Sequence, residues 1–224
     1  MSNLIDSTAS VAEEAHAQIR HDIIFGHLKP GEKLRLDQMR SRYGVSVSTL
    51  RETLNRLAAE GFVLAEGQRG FEVAPVSAEN LHDIATLRTL LECHALALSF
   101  AAGGIDWEAG LVAAHHKLHQ MELRMMAGDH SVKEEWKRYD WEFHRALIAA
   151  CGSRELVAVH SSVFDKYLRY QMRVLTFRGE TAAREHRELL AAAMDRDAAR
   201  AQEILRAHID GGVRHCLASG VLAA

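Results

Sequence analysis

Gly44-Val45-Ser46 sits at the junction of two short helical patterns, and the residues on either side leave few folds open. Asp37 to Tyr43 reads as a helix stopped by Gly44, and Ser46 caps the next, which runs to Gly61 with Leu50, Leu54, Leu57 and Ala58 on its inward face. Beyond Gly61 the apolar period changes to two. Phe62-Val63-Leu64-Ala65 and Phe71-Glu72-Val73-Ala74 flank Gly67-Gln68-Arg69-Gly70, which predicts a β-hairpin that ends at Pro75. Upstream, Val11 to Phe25 places Ala15, Ile19, Ile23 and Ile24 on one stripe, Gly26 can close that helix, and Pro30-Gly31 forces a turn. Three helices, a sharp turn before the third and then a hairpin, in that order, are the layout of a winged helix-turn-helix.

Such a unit is expected to read double-stranded DNA. On a 3.6-residue wheel the third helix carries Ser48, Arg51, Glu52 and Asn55 opposite its leucines, where a major groove would meet them. Arginine pairs with guanine edges or phosphate and asparagine with adenine, while the hydroxyls of Ser46, Ser48 and Thr49 suit phosphates at a helix N-terminus. The candidate DNA-contacting set is Arg40, Ser46, Val47, Ser48, Thr49, Arg51 and Asn55, with Arg69 and Gly70 at the wing tip placed for a minor groove. The whole chain has a formal net charge of −3, which excludes non-specific coating of nucleic acid. Charge is concentrated instead: Lys29 to Arg56 holds seven basic residues against three acidic ones. The plainer alternative is a helical subdomain with a solvated polar face.

From Ser77 onward the pattern is helical throughout, in about six segments: 78–102, 106–127, 131–150, 154–177, 181–194 and 197–218. Gly103-Gly104, Gly128, Gly152 and Asp195-Arg196-Asp197 mark the breaks. The expected architecture is mainly α: a winged helix-turn-helix over residues 1–76 and an antiparallel helical bundle over 77–224. Cys93, Cys151 and Cys216 are far apart without metal-type spacing and read as buried free thiols. Met1 to Ser10 lacks a basic region followed by an apolar core, and no window is expected to approach the ~20 apolar residues of a membrane span, so the chain reads as cytoplasmic with no membrane partner.

Within the bundle, Asp140 and His144 are four residues apart and share a helical face with Leu147 and Cys151. His186 lies on a stripe with Ala182, Leu189, Leu190 and Ala193, and His208 on one with Ala201, Ile204, Leu205 and Gly212. A carboxylate and three imidazoles turned into an apolar bundle need partners, and one divalent metal satisfies them together. Three imidazoles and a carboxylate suit zinc first, with nickel or iron(II) as alternatives. Singly hydrogen-bonded core residues are the competing explanation, and His115 and His119 form a rival pair at the same spacing. A metalloenzyme using the same Asp-His-His-His set on water is the alternative function, although no second carboxylate stands out as a general base beyond Glu142 and Glu185 nearby in sequence.

Ile19-Arg20, Gly26-His27-Leu28-Lys29-Pro30-Gly31-Glu32-Lys33-Leu34, Tyr43-Gly44-Val45-Ser46, Leu50-Arg51-Glu52, Glu60-Gly61 and Arg69-Gly70 together resemble the GntR family of bacterial transcription regulators. That family commonly has an arginine after the serine that opens the recognition helix and a proline two residues later, where this chain has Val47 and Thr49. Arg51 matches the family's second recognition-helix arginine. Asp140-x-x-x-His144, His186, Asp197-x-x-x-Ala201 and Leu205-x-x-His208-Ile209 resemble the FCD-type ligand-binding domain of its FadR subfamily. The resemblance implies a divalent metal on Asp140, His144, His186 and His208 and a small carboxylate effector beside it. Arg88 resembles an arginine that faces that domain's cavity, and Arg169 and Arg173, four apart, offer further anion contacts or surface ion pairs. The run at Trp107, Cys151-Gly152-Ser153 and Tyr167 to Tyr170 is similar to repressors that respond to short dicarboxylates such as glutarate. The implied protein is a homodimeric repressor on a near-palindromic operator, its DNA affinity shifted by effector.

Overall fold

The computed structural model describes residues 10–67, 70–174, 177–220 and 222. The chain divides into two compact units, Met1–Val76 and Ser77–Ala224. In the first, α1 (Val11–Ile24) opens with a reciprocal cap in which Ser10 accepts from the Glu13 amide and Glu13 accepts from the Ser10 amide. The helix pair α2 (Leu36–Tyr43) and α3 (Val47–Ala59) turns at Gly44, whose φ of 68° is the left-handed conformation that favours glycine. Ser46 then caps α3 by accepting from the Thr49 amide. Leu50, Thr53, Leu54 and Leu57 are the buried face of α3, which packs on α1 and α2. Thr53 stands where the sequence pattern expected Ala58, which is half-buried.

The wing has one strand more than expected. β2 (Val63–Ala65) and β3 (Phe71–Val73) form the hairpin, and β1 (Lys33–Leu34) adds to the other edge of β3 in antiparallel register, giving the order β1-β3-β2. Two residues are too short to show a period, so nothing in the sequence marked β1. The strand anchors the segment after Pro30-Gly31 to the hairpin.

The second unit is a bundle of α4 (Ala78–Ala102), α5 (Ile105–Met126), α6 (Lys133–Leu147), α7 (Arg154–Val174), α8 (Glu180–Met194) and α9 (Ala198–Ala218). A 3₁₀ turn, His130–Val132, leads into α6, which stops three residues short of the expected position 150. Ser77 and Asp197 cap α4 and α9 through their side chains. Helix α4 lies against α7 and α9, and α5 against α6 and α8. A β-carbon at Gly103 would fall 2.4 Å from the Trp107 ring, so this break needs glycine for close approach rather than for a turn. Trp107 donates its indole N–H to the Ala146 carbonyl at 2.8 Å and joins α5 to α6.

Helix α4 corrects one expectation. It contains an 18-residue window of mean hydropathy 1.3, long and apolar enough to cross a membrane by composition alone. Its buried face, however, carries the ion pair Arg88–Glu92 and packs inside the bundle. Cys93, Cys151 and Cys216 are free and buried.

Candidate metal centre and nucleic-acid interface

Helix α6 delivers Asp140 and His144 from one face, α8 delivers His186 and α9 delivers His208. One ligand atom from each of the four lies within 4.8 Å of all the others, and all four residues are buried. Asp140 Oδ1 and His186 Nε2 are 3.3 Å apart. Zinc bonds of about 2.0–2.1 Å in tetrahedral geometry separate ligand atoms by roughly 3.4 Å. The Asp140–His186 separation therefore already matches an ion of this size.

Each histidine is held from behind by its own glutamate. His186 Nδ1 meets Glu122 Oε1 at 2.6 Å, His208 Nδ1 meets Glu185 Oε2 at 2.7 Å, and His144 Nδ1 meets Glu92 Oε1. A carboxylate at Nδ1 fixes the proton there and leaves the Nε2 lone pair free to bind. Nε2 of His144 is buried with no hydrogen-bond partner among the described residues, and Nε2 of His186 has only Asp140 before it, outside hydrogen-bond geometry. Buried ring nitrogens in this condition call for a ligand.

The charges agree with this arrangement. Burial opposes ionisation of Asp140, yet the Lys137 ammonium and His186 hold its carboxyl well below the usual range. Burial likewise opposes ionisation of Glu92, which Arg88 and His144 more than offset. Glu185, against its burial, is brought down to about 2 by His208 and Arg178. Burial pushes His144 and His208 down, toward the neutral form that binds metal. His186 resists burial because Asp140 and Glu122 flank it, and rises to about 9.

The cluster lies at a pocket whose lining includes Trp136, Lys137, Gln171, Arg178 and His215 beside Asp140, His186 and His208. Lys137 donates to Gln171 at 2.9 Å and stands 3.4 Å from Asp140, with its ammonium 4.0 Å from the Trp136 ring centroid. Arg178 donates to Glu185 and lies 3.0 Å from His208 Nδ1. None of these cations belongs to the expected anion-binding set of Arg88, Arg169 and Arg173. Lys137 was detectable, since it lies one turn before Asp140 on the ligand-bearing face of α6. Arg178 lies in the α7–α8 connection, where no period exists to reveal it.

The arginines that the sequence did single out stand elsewhere. Arg88 is 1% exposed, donates to Glu92 at 2.8 Å, and stacks under Phe164 and Tyr167. It steadies the glutamate behind His144 and does not line the cavity. Arg169 and Arg173 do not line it either. His115 and His119 stack on each other, with centroids 5.9 Å apart, and neither joins the four-residue cluster, although His119 Nδ1 lies 3.6 Å from Glu122 behind His186. Burial drives His115 down to about 4. Trp107, Cys151, Gly152, Ser153 and Tyr170 are scaffold residues outside the cavity lining.

In the first unit, Ser48, Arg51, Glu52 and Asn55 are exposed along α3, Val47 and Thr49 are half-buried, and Arg40 is exposed on α2. The hydroxyls of Ser46, Ser48 and Thr49 cluster at the start of α3, with Ser46 Oγ 2.7 Å from Ser48 Oγ and 2.9 Å from Thr49 Oγ1. Gly70 takes φ 97° at the hairpin end, and its carbonyl accepts from Glu66 at 2.9 Å. Arg69 lies outside the described residues.

Residues 11–73 match the model of the bacterial regulatory proteins of the gntR family, and residues 83–211 match that of the FCD domain. The chain belongs to the GntR family. This GntR regulator is 37% identical over 204 residues to the HTH-type transcriptional repressor GlaR of Escherichia coli, covering 88% of this chain and 91% of that protein. It is 35% identical over 212 residues to the HTH-type transcriptional regulator BphR of Paraburkholderia xenovorans, covering 93% and 86%. The fold matches E. coli McbR/YncC with a TM-score of 0.77 at 19% identity over 94% of this chain and 99% of that one. A GntR regulator from Rhodococcus sp. RHA1 matches with 0.75 at 20% identity, again over 94% and 99%. The protein is a DNA-binding transcription regulator with a GntR helix-turn-helix and an FCD domain, not an enzyme.

Proposed function

We propose that this GntR regulator is a homodimeric repressor of the FadR type that holds a divalent metal on Asp140, His144, His186 and His208 and releases its operator when a small carboxylate occupies the adjoining cavity. The observation that carries this reading is the set of three imidazoles, each pinned at Nδ1 by a separate glutamate, converging with Asp140 at the cavity wall. Zinc is the leading candidate, with nickel and iron(II) compatible with the same donors. The metal would supply a Lewis-acidic centre for a ligand oxygen. The chain's own residues orient that ligand: Trp136 walls the cavity, and Lys137 and Arg178 supply positive charge.

Charge balance supports an anionic ligand. Asp140, Glu92, Glu122 and Glu185 bring four carboxylates to the site against the three cations Arg88, Lys137 and Arg178. A divalent ion turns the deficit into an excess of positive charge, which a carboxylate neutralises. A dicarboxylate can place one end toward the ion and the other on Lys137 or Arg178. The repressor sense rests on the similarity to GlaR, which is named a repressor. In the first unit, Arg40, Ser46, Val47, Ser48, Thr49, Arg51, Asn55, Arg69 and Gly70 form the proposed DNA-contacting set, and two copies would span the half-sites of a near-palindromic operator.

Elemental analysis of the purified protein, followed by fluorescence-anisotropy titration of its own promoter DNA with and without short mono- and dicarboxylates, tests this reading. Metal at one equivalent per chain and weaker DNA binding with a carboxylate present are expected. Metal-free protein that responds equally well to the same acids would overturn it.

A further inference from the structure

A second cluster with metal-ligand chemistry lies in the winged unit, on residues outside the proposed DNA-contacting set. His21 and Asp22 belong to the last turn of α1, and His27 follows in the segment leading to Pro30. One ligand atom from each lies within 4.8 Å of the others. His27 Nδ1 is 3.3 Å from Asp22 Oδ1, and His21 Nδ1 is 3.7 Å from the same oxygen. These separations bracket the roughly 3.4 Å expected between ligand atoms around a tetrahedral zinc with bonds of about 2.0–2.1 Å.

The carboxylate is divided between two tasks. Its Oδ2 accepts from the Arg42 guanidinium and the Tyr43 hydroxyl, both at 2.6 Å. That fixes the group in place, 4% exposed, at the junction of α1 and α2. Its Oδ1 meets Gln18 Nε2 at 3.4 Å and His27 Nδ1 at 3.3 Å, both longer than the contacts at Oδ2. The oxygen that faces the two imidazoles is thus the one held by the longer contacts. The rings are also restrained, since His21 stacks on Phe25 at 4.2 Å between centroids and lies 6.0 Å from His27. Both imidazole side chains are close to half exposed, at 45% and 47%, so an ion reaches the site from solvent and water completes its coordination.

We propose that His21 Nδ1, Asp22 Oδ1 and His27 Nδ1 form a second divalent transition-metal site, on the DNA-reading unit, with a two-nitrogen, one-oxygen donor set open to water. Imidazole and carboxylate together select zinc, nickel or copper(II) over magnesium and calcium, which take oxygen donors. A bound ion ties the end of α1 to the segment before Pro30, and through Asp22 Oδ2 that clamp extends to α2, the first helix of the helix-turn-helix. The site shares no residue with the bundle cluster.

Equilibrium dialysis of the full-length protein against buffered zinc, with elemental analysis, compares wild type with the double variant His21→Ala/His27→Ala. The variant is expected to hold one equivalent of zinc fewer per chain, and His21→Gln/His27→Gln, which keeps polar side chains at both positions, is expected to show the same loss. Equal zinc in wild type and both variants overturns the proposal. His186→Ala separates it from the bundle reading: a variant that loses one equivalent and keeps another supports both sites. If wild type holds a single equivalent that survives His186→Ala but disappears with His21→Ala/His27→Ala, the winged site stands and the bundle reading fails. Loss of the only equivalent in His186→Ala leaves the bundle site alone and refutes the winged one.

Discussion

Glu185 Oε2 lies 2.7 Å from His208 Nδ1, and the same oxygen accepts from Arg178 at 2.7 Å. One carboxylate thereby fixes the tautomer of a candidate ligand and positions a cation at the cavity. Glu185→Gln keeps the size of the side chain but removes the charge that holds the Nδ1 proton. Loss of such a partner behind a histidine ligand typically costs about 10- to 100-fold in metal affinity. Competition with a chromophoric chelator should show zinc binding weakened within that range, and an unchanged constant would remove Glu185 from the proposed role.

His186→Ala removes a ligand and also strips Glu122 and Asp140 of the imidazole between them. Metal content should fall sharply, and the effector response should disappear with it. Buried carboxylates left without that partner cost about 1–3 kcal/mol each, so the metal-free variant should also melt earlier than metal-free wild type. Calorimetry of both proteins after exhaustive chelation separates this destabilisation from loss of the ion.

Lys137→Met tests the cavity rather than the metal. The ammonium is buried between Gln171, Asp140 and the Trp136 ring, and burial lowers its pKa from the ordinary lysine value. A hydrogen bond to a charged group contributes about 1.5–3 kcal/mol, so carboxylate should be needed at roughly 10- to 100-fold higher concentration to release DNA. Zinc content should be unchanged. A variant with normal effector response places the ligand away from Lys137.

The helices of both units were legible because their buried faces recur at helical spacing and their ends carry Ser46, Gly44, Ser77 and Asp197, residues whose side chains or backbone preferences act locally. The cluster was legible for a related reason: Asp140 and His144 share a face by spacing and His186 and His208 lie on inward apolar stripes, whereas the choice of this set over the rival pair His115 and His119 came from resemblance. What stayed hidden is set by tertiary structure. Glu92, Glu122 and Glu185 look like ordinary surface acids in sequence, and only the fold reveals that each backs a histidine. Arg88 drew attention because it resembles an arginine that faces the cavity of the FCD-type domain, but resemblance does not distinguish a cavity wall from the support behind a glutamate.

Gly212 offers a stability test of how α9 meets α7. A β-carbon there would fall 2.2 Å from the Tyr167 hydroxyl, which donates to the Ile209 carbonyl at 3.1 Å. In an unconstrained helix, Gly→Ala is stabilising by about 1 kcal/mol. Here the added methyl must displace a buried tyrosine, and overpacking of that kind costs typically about 1–3 kcal/mol. Gly212→Ala should therefore lower the melting temperature, and Tyr167→Phe, which removes the clashing oxygen, should recover part of the loss in the double variant.

Arg51→Ala separates the two units. Arg51 is exposed on α3 one turn beyond the hydroxyl cluster of Ser46, Ser48 and Thr49, and Asn55 follows one turn later on the same side. Because Val47 and Thr49 stand where the family commonly has arginine and proline, Arg51 carries more of the recognition helix's positive charge than it would in a member with both arginines. A bidentate arginine contact to a base contributes about 1–3 kcal/mol, so operator affinity should fall by roughly 5- to 150-fold. If Arg51 contacts only phosphate, binding should weaken evenly across sequences and the dependence on salt should become shallower. Metal content and melting temperature should match wild type in either case, since Arg51 is exposed and lies outside the core of the winged unit. Anisotropy titrations on operator and scrambled DNA at two salt concentrations, with elemental analysis of the same sample, measure all of this. Full operator affinity in Arg51→Ala would move recognition to another part of the winged unit.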